Sequence, residues 1–399
     1  MTAPIFANWL SQTNDVTQIF LGASEDPNLI NLAGGLPDPS VWPVAELASL
    51  ATTAMMDHPD KSLSYSPIPG LSDLRDTVAR RFSKDGLTLT RDNVMIVSGG
   101  MQALDLIGKV LLDQDDIIAA QSPAYLGAID AWRPRGPKYR ALDLEAQDFD
   151  PAPALGGAKF AYTVPNFSNP TGRLVLLAQR HALVQAAYET GTYLVEDDPY
   201  GTLYYEGDVL PSMLEISASM YKGPYTGPVI YLGTLSKQLA PGLRIGWVIA
   251  APEVISALVT GKQGGDMCTA GLTQVIANTA ITSGLVERIL PKILELNKTR
   301  RDALCAAMDA YLSDLFQWRV PQGGMFVWAT ARNPQLNTDR LLRVAIEHGV
   351  CISPSSAFDP LGLNHSAIRI NFTLNTAQDL AEGIQRLAAA TRAVLDTQP

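Results

Sequence analysis

The sequence predicts an α/β protein: a large domain built on a mostly parallel sheet covered by helices, joined to a smaller α+β domain. Three observations predict it. From about Asn93 onward, short apolar β-rich runs alternate with helix-like stretches, the pattern of strands joined by crossover helices. Those runs are almost continuously apolar, as strands covered on both faces are. With 399 residues and 47% hydrophobic content, the chain is long enough to bury two cores.

In chain order, strands are expected at 94–97, 116–120, 160–164, 193–196, 229–232 and 245–250, with helices such as 101–112 and 178–189 between them. Beyond about residue 285 the character changes. A long helical stretch over 285–312 leads to an apolar run at 325–330, a helix at 339–348, strands at 349–353 and 368–372, and an amphipathic helix at 376–395. The expected division is a large domain over 46–290 and a small one formed by 1–45 with 291–399. The segment before Asn31 is too short for a domain of its own and is expected to pack on the smaller one. No internal repeat or low-complexity linker interrupts the chain.

Composition excludes several functions. A formal net charge of -10, from 30 basic and 40 acidic residues, argues against nucleic-acid binding and against anionic membranes, since both demand a basic surface. Cys268, Cys305 and Cys351 show no CxxC spacing and the four histidines are scattered, so neither a disulfide framework nor a metal site is expected. Residues 1–10 lack the basic start and apolar run of a signal peptide, and no apolar stretch approaches the roughly 20 residues that span a bilayer. A cytoplasmic setting follows as the expectation.

Four segments carry candidate chemistry, each with an ordinary reading beside it. Thr234-Leu235-Ser236-Lys237 follows an apolar strand and precedes Arg244. A lysine there sits where α/β folds place ligands, beside hydroxyls and an arginine able to hold a phosphate; a solvated loop lysine would read the same. Asp197, in Val195-Glu196-Asp197-Asp198-Pro199-Tyr200, would normally be a turn or capping residue. Buried, it needs a positive partner, and a protonated pyridine nitrogen is one. Pro165-Asn166-Phe167-Ser168-Asn169-Pro170-Thr171-Gly172 is by itself a turn-rich loop. Ser98-Gly99-Gly100-Met101-Gln102 joins a strand to a helix, a geometry that offers backbone N–H groups to a phosphate and equally suits a capping turn without ligand.

Together and in this order, these segments resemble the fold-type I pyridoxal-phosphate (PLP) enzymes, class I/II aminotransferases. Among those the chain is similar to the 2-aminoadipate and kynurenine aminotransferase group, which also supplies the effector domain of MocR-type regulators. The resemblance runs from Asn31-Leu32-Ala33-Gly34-Gly35-Leu36-Pro37 to Arg369-Ile370-Asn371-Phe372. It implies a seven-stranded type of large sheet, PLP as cofactor, and a homodimer with shared active sites. It implies that Lys237 forms the Schiff base, that Asp197 pairs with the pyridine nitrogen, and that Tyr200 and Asn169 bond the phenolic oxygen of PLP. Tyr125 would stack on the ring, and Gly100, Met101, Thr234, Ser236 and Arg244 would surround the phosphate. Tyr65 would reach the phosphate of the neighbouring subunit. Arg369 would grip the substrate α-carboxylate, a task that suits a planar guanidinium, while Gly34, Gly35 and Leu36 would line the substrate pocket.

The activity implied is transamination between amino acid and keto acid substrates by a ping-pong mechanism, with the freed, neutral Lys237 moving the α-proton. Two departures bear on specificity. Residues 14–23 contain no arginine or lysine to meet an acidic side chain; Gln18 stands in that place, amid the apolar Ile19, Phe20 and Leu21. That favours donors with neutral, aromatic or unusual side chains over 2-aminoadipate, with 2-oxoglutarate as an acceptor. In the second, Gly264-Gly265 precede Asp266-Met267-Cys268-Thr269, a loop expected to cross toward the neighbouring subunit's site and to be more mobile for its glycines. Cys268 reads as a small packed residue rather than a reactive thiol. The rival readings are another PLP enzyme of this fold, such as a β-lyase, decarboxylase or racemase, and a PLP-binding regulatory domain. Such regulators carry a basic helix-turn-helix ahead of this region, which the acidic chain does not show.

Overall fold

The computed structural model describes residues 6–12, 18–19, 22–23, 26–144, 146, 148–220 and 223–397. The short strand β1 (Ile30–Asn31) precedes seven strands that form the large sheet: β2 (Val94–Val97), β3 (Ile117–Gln121), β4 (Lys138–Leu142), β5 (Phe160–Thr163), β6 (Tyr193–Asp197), β7 (Val229–Thr234) and β8 (Gly246–Ile249). Their order across the sheet is β2-β8-β7-β6-β5-β3-β4. Strands β2, β5, β7 and β8 are buried at every residue, which is why their sequences read as unbroken apolar runs.

Two features of this sheet differ from the expectation. Strand β4 was not anticipated. It lies at the sheet edge and is largely part-exposed, so Lys138, Tyr139 and Arg140 carry no continuous apolar signal. Strand β8 runs antiparallel to both neighbours. The connection from Thr234 to Gly246 is shorter than the dozen or so residues a parallel crossover requires, so the chain turns straight back.

The helices lie on both faces. Gly100–Leu111 buries Ala103, Leu104, Leu106 and Ile107 against the sheet, and Leu177–Thr190 ends at Gly191, whose left-handed φ of 66° closes the last turn. The helix Leu285–Tyr311 begins among large-sheet residues, with Leu285 and Val286 packed beside Ile245 and Trp247. It ends elsewhere: Leu304, Ala307 and Met308 belong to a second core.

That second core surrounds four antiparallel strands in the order β12-β13-β10-β9: β9 (Phe316–Trp318), β10 (Phe326–Ala331), β12 (Ser353–Pro354) and β13 (Ala367–Asn371). Strand β9 was not expected, being only three residues long. The run anticipated at 349–353 divides at Ile352: β11 (Val350–Cys351) pairs in parallel with β1, while β12 pairs with β13. Through β1, Leu32 and Ala33 join Ile368, Ile370 and Phe372 in the second core. The final helix, Ala377–Asp396, starts with a capping box in which the Thr376 hydroxyl accepts from the Asp379 N–H at 3.1 Å. Arg300 ties the two ends of the chain together, donating to the Asp38 carboxylate and, at 2.8 Å, to the Thr373 carbonyl. Among the described residues, no helix is long and apolar enough to cross a membrane.

Candidate active site

The site begins at the C-terminal ends of the parallel strands, where side chains leave the sheet without a following ladder to fill. After β2 the chain turns through Gly99, whose φ is 88°. A Cβ at Gly99 would stand 2.3 Å from Arg244 Nη2, so only glycine fits both the backbone angle and the neighbour. At Gly100, by contrast, the space where a Cβ would stand is open to 4 Å. There the helix Gly100–Leu111 starts, leaving its first N–H groups without helical acceptors. Arg244 donates to the Ser98 carbonyl at 3.2 Å. Thr234, the last residue of β7, lies 2.9 Å from the Ser236 hydroxyl and accepts from Ser236 N–H. Its register partner Gly246 abuts Gly99 and Gly100. A pocket of backbone N–H groups, hydroxyls and one guanidinium results, which suits a phosphate.

Lys237 follows three residues after β7, its Nζ donating to the Gly35 carbonyl at 2.7 Å. Burial is the main cause that pushes its amine down to about 8, and the charges of Arg369 and Arg244 add to it. Asp197 ends β6 and is only 7% exposed. Burial pushes its carboxyl up to about 7, a hydrogen bond from the Tyr162 hydroxyl at 2.8 Å opposes the shift, and the neighbouring Asp198 adds to it. A carboxylate in that condition gains by facing a cation.

Asn169 bridges two of the expected residues: its side chain bonds the Tyr200 hydroxyl and its Oδ1 accepts from Arg369 Nη1 at 2.7 Å. Burial raises Tyr200 above the usual phenol range, so it stays a neutral donor. The Tyr125 hydroxyl donates to Met101 Sδ at 3.5 Å, and its ring closes over Gly127, where a Cβ would come within 2.5 Å.

Arg369 comes from the other sheet. It stands mid-strand in β13 between Trp328 of β10 and Ser353 of β12. Its guanidinium carbon lies 4.3 Å from the Phe326 ring centre and 4.7 Å from that of Phe358, a cation–π sandwich that fixes the plane. Nη2 donates to Ser353 Oγ at 3.2 Å and to the Ala33 carbonyl. Nε is buried with no partner among the described residues. Burial lowers the group to about 10.

The structure therefore brings Lys237, Asp197, Tyr200, Asn169, Tyr125, Arg369 and Gly35 into one neighbourhood, with Gly100, Thr234, Ser236 and Arg244 beside it. Leu36 follows Gly35 with 45% of its surface exposed, and Met101 sits at the rim. Tyr65 is not brought in; it is 84% exposed on this chain's surface. Gln18 is exposed as well, and the hydrogen bonds of the site do not include it. Phe20 and Leu21, counted with it in the sequence, lie outside the described residues, as do residues 1–5 and 13–17.

Sequence reasoning missed Tyr162, Ser353, Phe326 and Phe358. Each lies in an apolar or turn segment with nothing local to mark it. It also missed the support behind the strand ends: Asp198 accepts from Asn166 at 2.8 Å and Tyr231 at 2.9 Å, and the wholly buried Arg180 donates to Asn166 at 2.6 Å. Glu196 accepts the N–H groups of Met213 and Leu214, and burial raises it to about 8.

The residues fit PLP: an open N–H and guanidinium pocket for a phosphate, a neutral-leaning lysine for an aldehyde, and a buried acid with no ion pair among the described residues, suited to a protonated ring nitrogen. Comparison with known proteins agrees. The family described as aminotransferase class I and II matches residues 27–387. Aromatic-amino-acid aminotransferase 1 of Thermococcus litoralis is 35% identical over 91% of this chain and 88% of its own. The 2-aminoadipate transaminase of Thermus thermophilus is 34% identical over 94% and 93%. The crystal structure of the α-aminoadipate aminotransferase of Thermus thermophilus, complexed with N-(5'-phosphopyridoxyl)-L-leucine, superposes with a TM-score of 0.89 at 32% identity, covering 98% of both chains.

Proposed function

The chain belongs to the aminotransferase class I and II family and is a PLP-dependent aminotransferase, and from that premise we propose its donor class and the work of each residue. It moves the amino group of an α-amino acid with a neutral, aromatic or otherwise apolar side chain to a keto acid such as 2-oxoglutarate. The observation that carries this reading is the placement of Arg369 and Lys237 around the Gly35-Leu36 segment. Arg369 holds Asn169 and the Ala33 carbonyl on one side, Lys237 Nζ meets the Gly35 carbonyl on the other, and the apolar Leu36 is left open beside them.

When bound, PLP supplies an aldehyde that condenses with amines and a ring that accepts the electron pair released at Cα. The protein does the rest. Asp197 would hold the proton on the ring nitrogen, offsetting its own burial. Tyr200 and Asn169 would bond the phenolic oxygen, and Tyr125 would pack against the ring. The N–H groups of Gly100 and Met101, with Thr234, Ser236 and Arg244, would hold the phosphate. Lys237, free and neutral, would take the α-proton on Nζ and pass it to the carbon that was the cofactor's aldehyde carbon. Arg369 binds the α-carboxylate with two parallel N–H groups.

Donor preference rests on Leu36 and on the described residues of the segment 14–23, Gln18, Ile19, Gly22 and Ala23, none of which is cationic. A distal carboxylate would find no cationic partner in them, and 2-oxoglutarate would be held through its α-carboxylate by Arg369. Tyr65, with the exposed Met56 and Leu63 near it in sequence, supports a homodimer in which Tyr65 reaches the partner's phosphate. The three unpaired thiols fit a reducing cytoplasm. The two cores support a large domain over 46–290 and a small one over 1–45 and 291–399.

The test is a single-turnover panel of amino acids against the PLP form, following formation of pyridoxamine phosphate and identifying the keto acid. Leucine, methionine or aromatic donors should convert faster than 2-aminoadipate or glutamate. Pyruvate and ammonia from a β-substituted donor, or loss of the carboxylate as CO2, would move the protein to β-lyase or decarboxylase chemistry.

A further inference from the structure

The loop after the helix Pro252–Gln263, which carries Gly264 and Gly265, is also the site of a side-chain network. It is pinned by Lys262, a lysine with 0% of its surface exposed. Lys262 Nζ donates to both oxygens of Asp266, at 2.6 Å and 2.8 Å, and to Gln102 Oε1 at 2.6 Å. All three ammonium protons are therefore used. Asp266 Oδ2 also accepts from Gln102 Nε2 at 2.6 Å and from Ser98 Oγ at 3.2 Å. Gln102 Oε1 accepts in addition the Ser98 N–H at 2.8 Å, and Thr269 lies 3.3 Å from the Ser98 hydroxyl. Asp266 is lowered on balance, its contacts to Lys262, Gln102 and Ser98 outweighing burial, whereas burial lowers Lys262 against the pull of Asp266.

Ser98 and Gln102 flank Gly99, Gly100 and Met101, the turn whose N–H groups form the phosphate pocket. One side of that turn is fastened by Arg244 through the Ser98 carbonyl, and the other by Lys262 and Asp266 through the Ser98 N–H, its hydroxyl and Gln102. An amide turn opened toward a ligand on one side needs such fixing behind it, because each N–H must point at an anion that arrives later. We propose that Lys262 and Asp266 are positioning residues for the phosphate pocket, clamping the turn 98–102 so that its amides are preset for the phosphate of PLP. The clamp rests on the placement of the phosphate given above. It acts through Ser98 and Gln102 and touches no reacting atom.

The experiment is equilibrium binding of the apoprotein to PLP and, separately, to pyridoxal, which lacks the phosphate, read by absorbance and tryptophan fluorescence. Lys262→Met should weaken PLP by about 10- to 100-fold, the range found for partners behind metal ligands, while pyridoxal binding changes little. Asp266→Asn should shift PLP in the same direction by less, since the amide keeps one acceptor. Should Lys262→Met fail to fold, Lys262→Gln, which keeps a donor, carries the same comparison. Equal weakening of PLP and pyridoxal, or no weakening of PLP, overturns the clamp. Arg244→Ala separates the two readings. If it leaves the ratio of PLP to pyridoxal affinity as in the parent, the phosphate pocket itself is misplaced; if it collapses the ratio while the Lys262 variants do not, the clamp alone fails.

Discussion

The two sheets contribute to one site in opposite ways. The large sheet delivers its groups from strand ends: Asp197 closes β6, Lys237 follows β7, and Asn169 follows β5. The four-stranded sheet delivers Arg369 from the middle of β13, held between Trp328 and Ser353 by the ladder and between two phenyl rings by packing. Their charges are opposite too. The large sheet buries Glu196, Asp197 and Asp198, all pushed upward by desolvation, whereas the small sheet buries a guanidinium pushed down to about 10. Lys237 lies in reach of that cation's field and is lowered by it. The difference teaches that the cofactor side can vary with loops, but the carboxylate side is locked to a sheet register: a one-residue slip of β13 would turn Arg369 out of the site.

Four outcomes would break or sharpen that contrast. Lys237→Ala, on the large-sheet side, removes the proton carrier and should cut single-turnover transamination by about 10³-fold or more, following the usual weight of general acid–base groups; near-parent turnover would break the assignment. Arg369→Gln, on the small-sheet side, should lower kcat/KM by about 10- to 100-fold, from the roughly 1.5–3 kcal/mol of a hydrogen bond to a charged group, with keto acid and amino acid affected alike. Tyr162→Phe removes the hydroxyl that stabilises the charged form of Asp197. PLP affinity should fall about tenfold, the low end of that same range, while an apolar monocarboxylate inhibitor such as 3-phenylpropionate should bind Arg369 as before.

The smallest expected effect concerns pH. Capture of PLP by the apoprotein requires neutral Lys237, whose folded-state value is depressed to about 8. The capture rate should therefore rise with pH and level off above about 8. Arg369→Gln takes away a charge that lowers Lys237, so its profile should move to higher pH. Stopped-flow absorbance of the two proteins would show it, and coincident profiles would mean that the two sheets do not communicate electrostatically.

Legibility followed the same division. Strand ends on the large sheet sit beside Gly, Pro, Asn and Ser, so Lys237, Asp197, Asn169 and the Ser98–Gln102 turn stood out where apolar runs stop. Arg369 stood out only through the family resemblance, and the rings beside it, Phe326 and Phe358, were indistinguishable from core. Lys262 shows the limit from another side. It stands just ahead of two glycines with no motif to mark it, yet it is wholly buried, because its partner Gln102 lies 160 residues away in the chain.

The amino-acid sequence by itself determined the α/β class and six of the seven strands of the large sheet, since burial on both faces and turn chemistry are local properties of a strand and its exit. Only the tertiary structure decided that β8 runs antiparallel, that β1 joins the second core through β11, and which rings, hydroxyls and charges surround Asp197 and Arg369. Those depend on which segments meet across long stretches of chain, and residue periodicity carries no record of the partner.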